Sequence, residues 1–137
     1  MLSGYVMTDS NIRTAVAAWI DDDVTLRGGD NPSIPDNHPT PAEAVYGHIS
    51  TFDTSGVTDM SYLFCGSSRT DYSSYGCSTA AASFNEDISA WDTSLVTNMN
   101  SMFANASIFN QDIGAWSVGA VTDMSYTFYE ASSFNSF

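Results

Sequence analysis

Apolar residues recur at a constant interval of 25 positions in the second half of the chain. The segments Phe84–Ser107 and Phe109–Ser132 align residue for residue, and a further copy begins at Phe134. The aligned apolar positions are Phe84/Phe109/Phe134, Ile88/Ile113, Trp91/Trp116, Val96/Val121, Met99/Met124 and Phe103/Phe128. Many matches at one spacing identify an internal repeat. Its units are too small to bury these residues alone and must stack.

An earlier copy of the unit lies at Ile49–Ser68, where Phe52 stands in the tryptophan position. Phe64 and Phe103 occupy equivalent positions but are 39 residues apart, so an insertion lies at residues 69–82. The chain therefore carries about three units, and the end of the sequence truncates the last one.

Each unit contains two predicted local elements. Val96, Met99 and Phe103 follow one another at spacings of three and four, which predicts helical turns, with Ser94 as the N-cap. The segment Asp87–Trp91 is predicted to be a short strand. A short strand plus a short helix per 25-residue unit predicts an α/β repeat solenoid of leucine-rich-repeat-like coils.

The first 46 residues do not follow the repeat. An amphipathic helix is predicted after Asp9 and Ser10, either of which would cap it. Its apolar face consists of Ile12, Val16, Trp19 and Ile20. A loop is expected at Asp21–Pro41 and a short helical segment at Pro41–Tyr46. The expected organisation is an N-terminal cap at 1–46, which covers the first open layer, and a solenoid at 47–137.

The repeat motif F-N-x-D-I-x-x-W-D-T-S-x-V-T-N-M-x-x-M-F stands at Phe84–Phe103. It resembles the repeat of BspA-like leucine-rich-repeat surface proteins, especially the branch of mycoplasma-type lipoproteins that also occurs in microbial eukaryotes. Ala15-Val16, Trp19 and the segment Tyr46–Ile49 resemble the element before the first repeat of that branch. The resemblance covers residues 12–137 apart from the insertions. It implies a surface or secreted protein used in adhesion, recognition or envelope structure, and it brings no catalytic residues.

The net charge of the chain limits the classes of molecule that it can bind. The chain has 16 acidic residues, three arginines and no lysine, for a net charge of −13. Such a charge repels nucleic acid and anionic membranes, and it fits a solvated acidic surface, divalent cations or a basic partner. No apolar run approaches the roughly 18–20 residues that cross a bilayer. The surface rich in Ser and Thr is typical of secreted proteins, so we expect an extracellular or cell-surface location.

Two candidate modifications follow from short motifs. Cys65 and Cys77 flank the polar insertion, which predicts a disulfide that staples this loop and an oxidising compartment. Asn105-Ala106-Ser107 is an N-glycosylation sequon, which has meaning only in a eukaryotic secretory protein. A zinc site is not expected, because His38 and His48 lack ligand spacing to the cysteines.

Stacking would bring equivalent polar residues together. Asp87 and Asp112 would be neighbours, and their carboxylates would be exposed and hydrogen-bonded or would bind calcium. The asparagine column Asn85/Asn110/Asn135 predicts a side-chain ladder. No nucleophile–base pair and no phosphate-binding loop is visible, so we expect no enzymatic activity and no cofactor.

The leading hypothesis is a non-enzymatic recognition or adhesion module that binds a protein or carbohydrate ligand. The predicted binding surface combines the stapled loop with Glu86, Asp87, Ser89, Gln111, Asp112 and Gly114. The alternative is a structural subunit that polymerises end to end into a surface filament or envelope layer.

Overall fold

The computed structural model describes residues 4–22 and 40–135. This part of the chain contains two α-helices, α1 at Asn11–Asp22 and α2 at Pro41–Tyr46. Short 3-10 helices follow at Ile49–Thr51, Thr70–Tyr75 and Thr79–Ser83. Isolated parallel bridges join Val6 to Asp53, Asp59 to Asn98, and Asn98 to Asp123. Most of the predicted loop (23–39) and residues 136–137 of the truncated unit lie outside the described residues.

Helix α1 confirms the predicted amphipathic helix, because Ile12, Val16, Trp19 and Ile20 are all buried. The predicted cap was wrong. Thr8 Oγ1 accepts a hydrogen bond from the Asn11 N–H at 3.2 Å, and Asn11 Oδ1 accepts one from the Thr8 N–H at 2.7 Å. This reciprocal pair is a capping box with asparagine in the usual Glu position. Asp9 instead accepts hydrogen bonds from the backbone of the first unit.

Helix α2 confirms the predicted helical segment at Pro41–Tyr46. Thr40 Oγ1 caps it by accepting from the Glu43 N–H at 3.2 Å, and Pro41 occupies the first turn, where no backbone donor is needed. Asp22, the last residue of α1, accepts a hydrogen bond from the Ala42 N–H at 2.8 Å. The two helices are thereby held together at the start of the repeats.

The strand and helix predicted inside each unit were both wrong. Asp87–Trp91 forms no strand, and between Val96 and Phe103 the chain forms an isolated bridge at Asn98 followed by turns from residue 100 onward. Met102 N–H donates to the Met99 carbonyl across one such turn. A turn closed between residues i and i+3 gives the same apolar spacing of three as a helix does. Ser101 has a positive φ of 55°, which a right-handed helix does not accommodate.

Backbone hydrogen bonds join neighbouring units in register. In the first row, the N–H groups of Met60, Tyr62, Phe64 and Gly66 donate to the carbonyls of Asn98, Asn100, Met102 and Ala104 at 2.8–2.9 Å. In the second row, those of Met99, Ser101, Phe103 and Asn105 donate to Asp123, Ser125, Thr127 and Tyr129 at 2.7–2.9 Å. Every second N–H therefore points toward the following unit.

Two columns of phenylalanine form the centre of the core. Phe64, Phe103 and Phe128 stack at centroid distances of 5.4 and 5.5 Å, and Phe84, Phe109 and Phe134 stack at 5.9 and 5.9 Å. The two columns touch, with Phe103 and Phe109 at 4.3 Å. Trp19 of α1 packs edge to face with Phe84 at a centroid distance of 6.1 Å and so covers the first end of one column.

The tryptophans link each unit to the one before it. Trp91 Nε1–H donates to the Ile49 carbonyl at 2.8 Å, and Trp116 Nε1–H donates to the Ile88 carbonyl at 3.1 Å. In residues 4–22 and 40–135 the domain is compact and mostly irregular, with two α-helices, few bridges and a large aromatic core. A regular alternation of strand and helix is absent from the described residues.

Candidate functional site

The predicted binding surface lies on the bends that precede Trp91 and Trp116. Asp87 Oδ1 accepts from the Ser89 N–H, and Asp112 Oδ1 accepts from the Gly114 N–H, both at 2.9 Å. Hydrogen bonds from the Ser89 hydroxyl and backbone lower the pKa of Asp87. Both carboxylates are exposed, but each already holds its own turn.

The remaining polar side chains of this surface also bind nearby groups of the protein. Gln111 Nε2 donates to the Asn85 carbonyl at 2.8 Å, and Glu86 Oε2 lies 3.8 Å from His48 Nε2. The predicted asparagine ladder is present, because Asn85 Oδ1 accepts from the Asn110 N–H at 2.8 Å and Asn110 Oδ1 accepts from the Asn135 N–H at 3.2 Å.

The structure shows no centre for the calcium alternative in the part of the chain that it describes. Residues 4–22 and 40–135 contain no group of three or more His, Cys, Asp or Glu side chains that could hold a metal ion. His38 lies outside these ranges. Among the same residues, no helix is long and apolar enough to cross a membrane.

The predicted disulfide joins Cys65 and Cys77, whose Cα atoms are 4.7 Å apart. The Ser78 N–H donates to the Cys65 carbonyl at 2.9 Å and closes the base of the loop further. Within the loop, the ring of Tyr75 stacks on Tyr62 of the first unit at 5.0 Å. The loop is therefore fixed against the body of the domain at its base and through the ring of Tyr75, two residues before Cys77.

Beside this loop lies a groove of ≈ 540 Å³, which we call the tyrosine groove. Its polar and aromatic lining comes from the first unit and the loop on one side and from the two later units on the other. These residues are Tyr62, Ser67, Ser68, Arg69, Tyr72, Asn100, Ser101, Asn105, Tyr126, Tyr129 and Glu130, together with Cys65 and Ala104. Asn105, the glycosylation candidate, is one of them.

The backbone of the tyrosine groove is unusual. Five non-glycine residues of the described chain have positive φ, and all five line this groove: Tyr62, Ser101, Asn105, Tyr126 and Glu130, at 55–60°. Glycine would adopt this conformation without the cost of roughly 1–2 kcal/mol that a side chain incurs. The strained positions instead carry side chains with polar groups, and such strain tends to concentrate at ligand sites.

Several side chains in the tyrosine groove are open to a ligand. Tyr126 and Tyr129 are 67% and 54% exposed, and their rings meet edge to face at 5.8 Å. The Asn105 carboxamide and the Glu130 carboxylate make no hydrogen bond to any described residue. The groove therefore presents aromatic surface together with unused polar atoms.

The cation of the tyrosine groove already has an acidic partner. Arg69 Nη2 lies 3.2 Å from Asp71 Oδ2, and its guanidinium carbon lies 5.2 Å from the centroid of the Tyr72 ring. The hydrogen bond with Arg69 lowers the pKa of Asp71. The groove thus has little free positive charge to offer an anionic ligand.

A family model described as mycoplasma protein of unknown function, DUF285, matches residues 40–137. The match covers well over half of the sequence. The chain belongs to the DUF285 family. No curated protein and no solved structure matches it. The matched part begins at Thr40, the cap of α2, and contains all three units and the tyrosine groove, whereas α1 lies outside it.

In this DUF285 chain, Asp9, two residues before α1, supplies an acceptor for the first unit. Asp9 Oδ1 accepts from the Thr58 and Asp59 N–H groups at 2.7 and 3.2 Å. In the later units the equivalent donor is paired with a carbonyl, since Thr97 N–H donates to the Thr58 carbonyl and Thr122 N–H to that of Thr97. Burial raises the pKa of Asp9, but the hydrogen bonds from Thr58 and Asp59 outweigh it and lower the pKa overall.

Arg13 of α1 supplies the matching donors. Its Nη1 donates to the Ser61 carbonyl at 2.6 Å, and its Nη2 contacts the Asp59 carbonyl at 3.4 Å and Asp59 Oδ1 at 3.0 Å. Asp9 and Arg13 together satisfy polar backbone groups that a preceding unit would satisfy. The N-terminal edge of the DUF285 repeats is thereby occupied.

The other edge is open in the part of the chain that the structure describes. The N–H groups of Met124, Tyr126, Phe128 and Glu130 have no acceptor among the described residues, although their equivalents one unit earlier are all paired. Met99 is 2% exposed, whereas its equivalent Met124 is 47% exposed. An apolar groove of ≈ 450 Å³ lies here, lined in part by Trp116, Val118, Met124, Phe128 and Phe134.

Sequence reasoning found the stapled loop and singled out Asn105 as a glycosylation candidate, but it missed the rest of the tyrosine groove. The repeat was identified from positions at which the units have the same residue, whereas the groove is lined largely by positions at which the units differ. Tyr62 and Tyr126 flank Ser101 in one column, and Tyr129 replaces the Cys65 of the first unit. The unequal tyrosine content of equivalent positions was the available indication.

Proposed function

We propose that this DUF285 chain is a non-enzymatic recognition or adhesion module of a secreted or cell-surface protein, and that its ligand binds in the tyrosine groove. The observation that carries the proposal is the concentration of exposed tyrosines beside a loop fixed by a disulfide. Tyr offers a large contact area at a low cost in conformational entropy and is enriched in binding surfaces. The disulfide favours an oxidising compartment, which agrees with an extracellular location.

The tyrosine groove is a better candidate than the surface around Asp87 and Asp112. Those two carboxylates already accept backbone hydrogen bonds within their own turns, so a ligand would compete with the fold for them. The side chains of Asn105 and Glu130 in the tyrosine groove make no such hydrogen bond to the described residues. Binding there would leave the turns of the domain intact.

We also propose that the units are successive turns of a solenoid of the BspA-like leucine-rich-repeat kind. Three features support this reading: the rows of backbone bonds between units, the two phenylalanine columns and the tryptophan links. Each turn would be built from hydrogen-bonded bends in place of regular elements. The concave face of such a solenoid is a common location of binding sites.

The proposal is tested with an array of purified extracellular proteins and oligosaccharides, probed with the fluorescently labelled chain. The double variant Tyr126→Ala/Tyr129→Ala should no longer bind the array compounds that the unmodified chain binds. Tyr5→Ala is the matched control, because Tyr5 is also an exposed tyrosine but lies outside the groove. If the double variant binds normally while Asp87→Ala/Asp112→Ala does not, the binding surface is the one predicted from the sequence and the groove proposal is wrong.

The alternative function is a structural subunit that assembles end to end, and the open edge at the third unit favours it. Occupation of the opposite edge by Asp9 and Arg13 counts against it, because an incoming subunit would have to displace them. Light scattering on a sizing column distinguishes the two. Growth into long particles with concentration would support assembly, and its loss in chelator would attribute it to calcium. A monomer at all concentrations would leave recognition as the function.

A further inference from the structure

We infer that the tyrosine groove binds neutral oligosaccharides. This inference rests on the proposed function and adds the chemical class of the ligand. It follows from four properties of the groove, namely its aromatic surface, its supply of polar groups, its lack of large aliphatic side chains and its local charge.

The aromatic surface suits a sugar ring. The axial C–H groups of a pyranose form an apolar face that packs flat against an aromatic ring, and tyrosine adds a hydroxyl at the edge of that contact. Tyr126 and Tyr129 are the more exposed rings of the groove. They are arranged edge to face, so the planes of the two rings are nearly perpendicular. Successive sugar units of an oligosaccharide present such differently oriented faces.

The polar lining matches hydroxyl groups. A sugar hydroxyl donates one hydrogen bond and accepts others, so it needs both kinds of partner. The Asn105 carboxamide offers donors and an acceptor, and the Glu130 carboxylate offers acceptors for stronger, charge-assisted bonds. Neither group bonds to a described residue, so neither has to be freed before a ligand binds.

The absence of large aliphatic side chains from this lining separates a sugar from an apolar peptide. The tyrosine groove contains no Leu, Ile, Val or Met, whereas the apolar groove at the third unit is lined by Met99, Ile113, Val118 and Met124 among others. A peptide anchored by aliphatic residues would match the second groove better. The first groove matches a ligand whose surface is mostly hydroxyl.

Local charge selects neutral sugars over anionic ones. Arg69 is paired with Asp71, and the carboxylate of Glu130 remains in the groove. The net charge of −13 adds a repulsive field that attracts no sialylated or sulfated chain. The volume of ≈ 540 Å³ lies in the range of about 300–1,000 Å³ that is usual for small-ligand sites.

The test is an array of neutral oligosaccharides printed beside sialylated and sulfated counterparts, followed by titration of bound compounds by isothermal calorimetry. We expect the chain to bind neutral compounds with an affinity that changes less than threefold between low and physiological salt. Tyr126→Ala should weaken binding at least tenfold, and Tyr126→Phe, which keeps the ring, should weaken it far less. Tyr5→Ala should leave it unchanged.

The outcomes separate this inference from the proposed function. If the chain binds extracellular proteins through the tyrosine groove but no oligosaccharide, the inference is overturned and the proposed function stands. Preference for sialylated or sulfated compounds would also overturn it. If the groove variants alter no binding of any kind, both the inference and the proposed function are wrong.

Discussion

The phenylalanine columns allow one comparison that tests the packing directly. Phe103 and Phe128 occupy the same repeat position, but Phe103 lies between two units whereas Phe128 has a neighbouring unit on one side only. We expect Phe103→Ala to reduce the free energy of unfolding far more than Phe128→Ala. The two substitutions remove the same atoms, so their difference reports on the surroundings alone.

The magnitudes follow from burial and ring contacts. Phe103 is fully buried and stacks on Phe64, Phe109 and Phe128. Truncation of a buried Phe costs about 3–5 kcal/mol, and the well-formed stacks place Phe103 at the upper end. Phe128 is partly buried and borders the apolar groove. The space left by Phe128→Ala would therefore be open to solvent on one side and would cost less than an enclosed cavity. We expect about 2 kcal/mol there, and a difference of about 2–3 kcal/mol between the variants.

The assay is urea unfolding followed by tryptophan fluorescence, with the slope of free energy against urea compared to show that the unfolded states are alike. Each measurement is made at a concentration at which the chain is monomeric. Equal losses for the two variants would refute the reasoning, because Phe128 would then be enclosed in solution and the edge at the third unit would be covered. A loss below about 1.5 kcal/mol for Phe103→Ala would show that the columns contribute little to stability.

Three further predictions concern local features. Thr8→Ala should reduce the free energy of unfolding by about 1 kcal/mol through loss of the α1 cap, and Ser10→Ala should cost less, as measured by the same urea unfolding. Cys65→Ser/Cys77→Ser should cost about 3 kcal/mol, and dithiothreitol should then destabilise only the unmodified chain; an equal response of both would contradict the disulfide. Hydrogen bonds from Ser94 lower the pKa of Asp92 in the folded state, so its stabilisation is present above the unfolded pKa of about 3.9 and lost as pH falls below it. Asp92→Asn keeps the acceptor, so the variant should lose less stability than the unmodified chain between about pH 5 and pH 3, and an identical pH profile would contradict this.

The elements that the sequence predicted correctly rest on strong local or periodic patterns. Helix α1 has a complete apolar face, and the asparagine ladder follows from equivalent residues in stacked units. The disulfide follows from Cys65 and Cys77 at the two ends of an insertion. In each case the residues alone determine a narrow set of structures.

The strand and helix inside the units could not be predicted for a physical reason. Apolar positions three residues apart arise both in helices and in consecutive turns. The pattern of hydrogen bonds decides which of the two forms. Asp92 and Asn98 each accept from the N–H two residues ahead, so their side chains replace the regular backbone partners of a helix. That choice depends on the neighbouring units, which supply partners for the remaining N–H groups.

The roles of Asp9 and Arg13 were also inaccessible from the sequence. Their partners, Thr58 and Ser61, lie 48 or more residues away. Only the position of α1 over the first unit shows that a carboxylate and a guanidinium take the place of backbone groups. The tyrosine groove depends in the same way on the contact between the insertion and two later units.

The common direction of the N–H groups between Met124 and Glu130 restricts the symmetry of any contact at that edge. Two copies related by a two-fold axis through this edge would place donors against donors, so the contact would leave those groups unpaired. A partner that pairs with them must present acceptors, either carbonyl oxygens or carboxylates such as that of Asp9 at the opposite edge, and the row of N–H groups does not supply these itself. A contact that pairs these N–H groups therefore cannot have its two-fold axis running through the row itself, and the row has a direction along the stack of units.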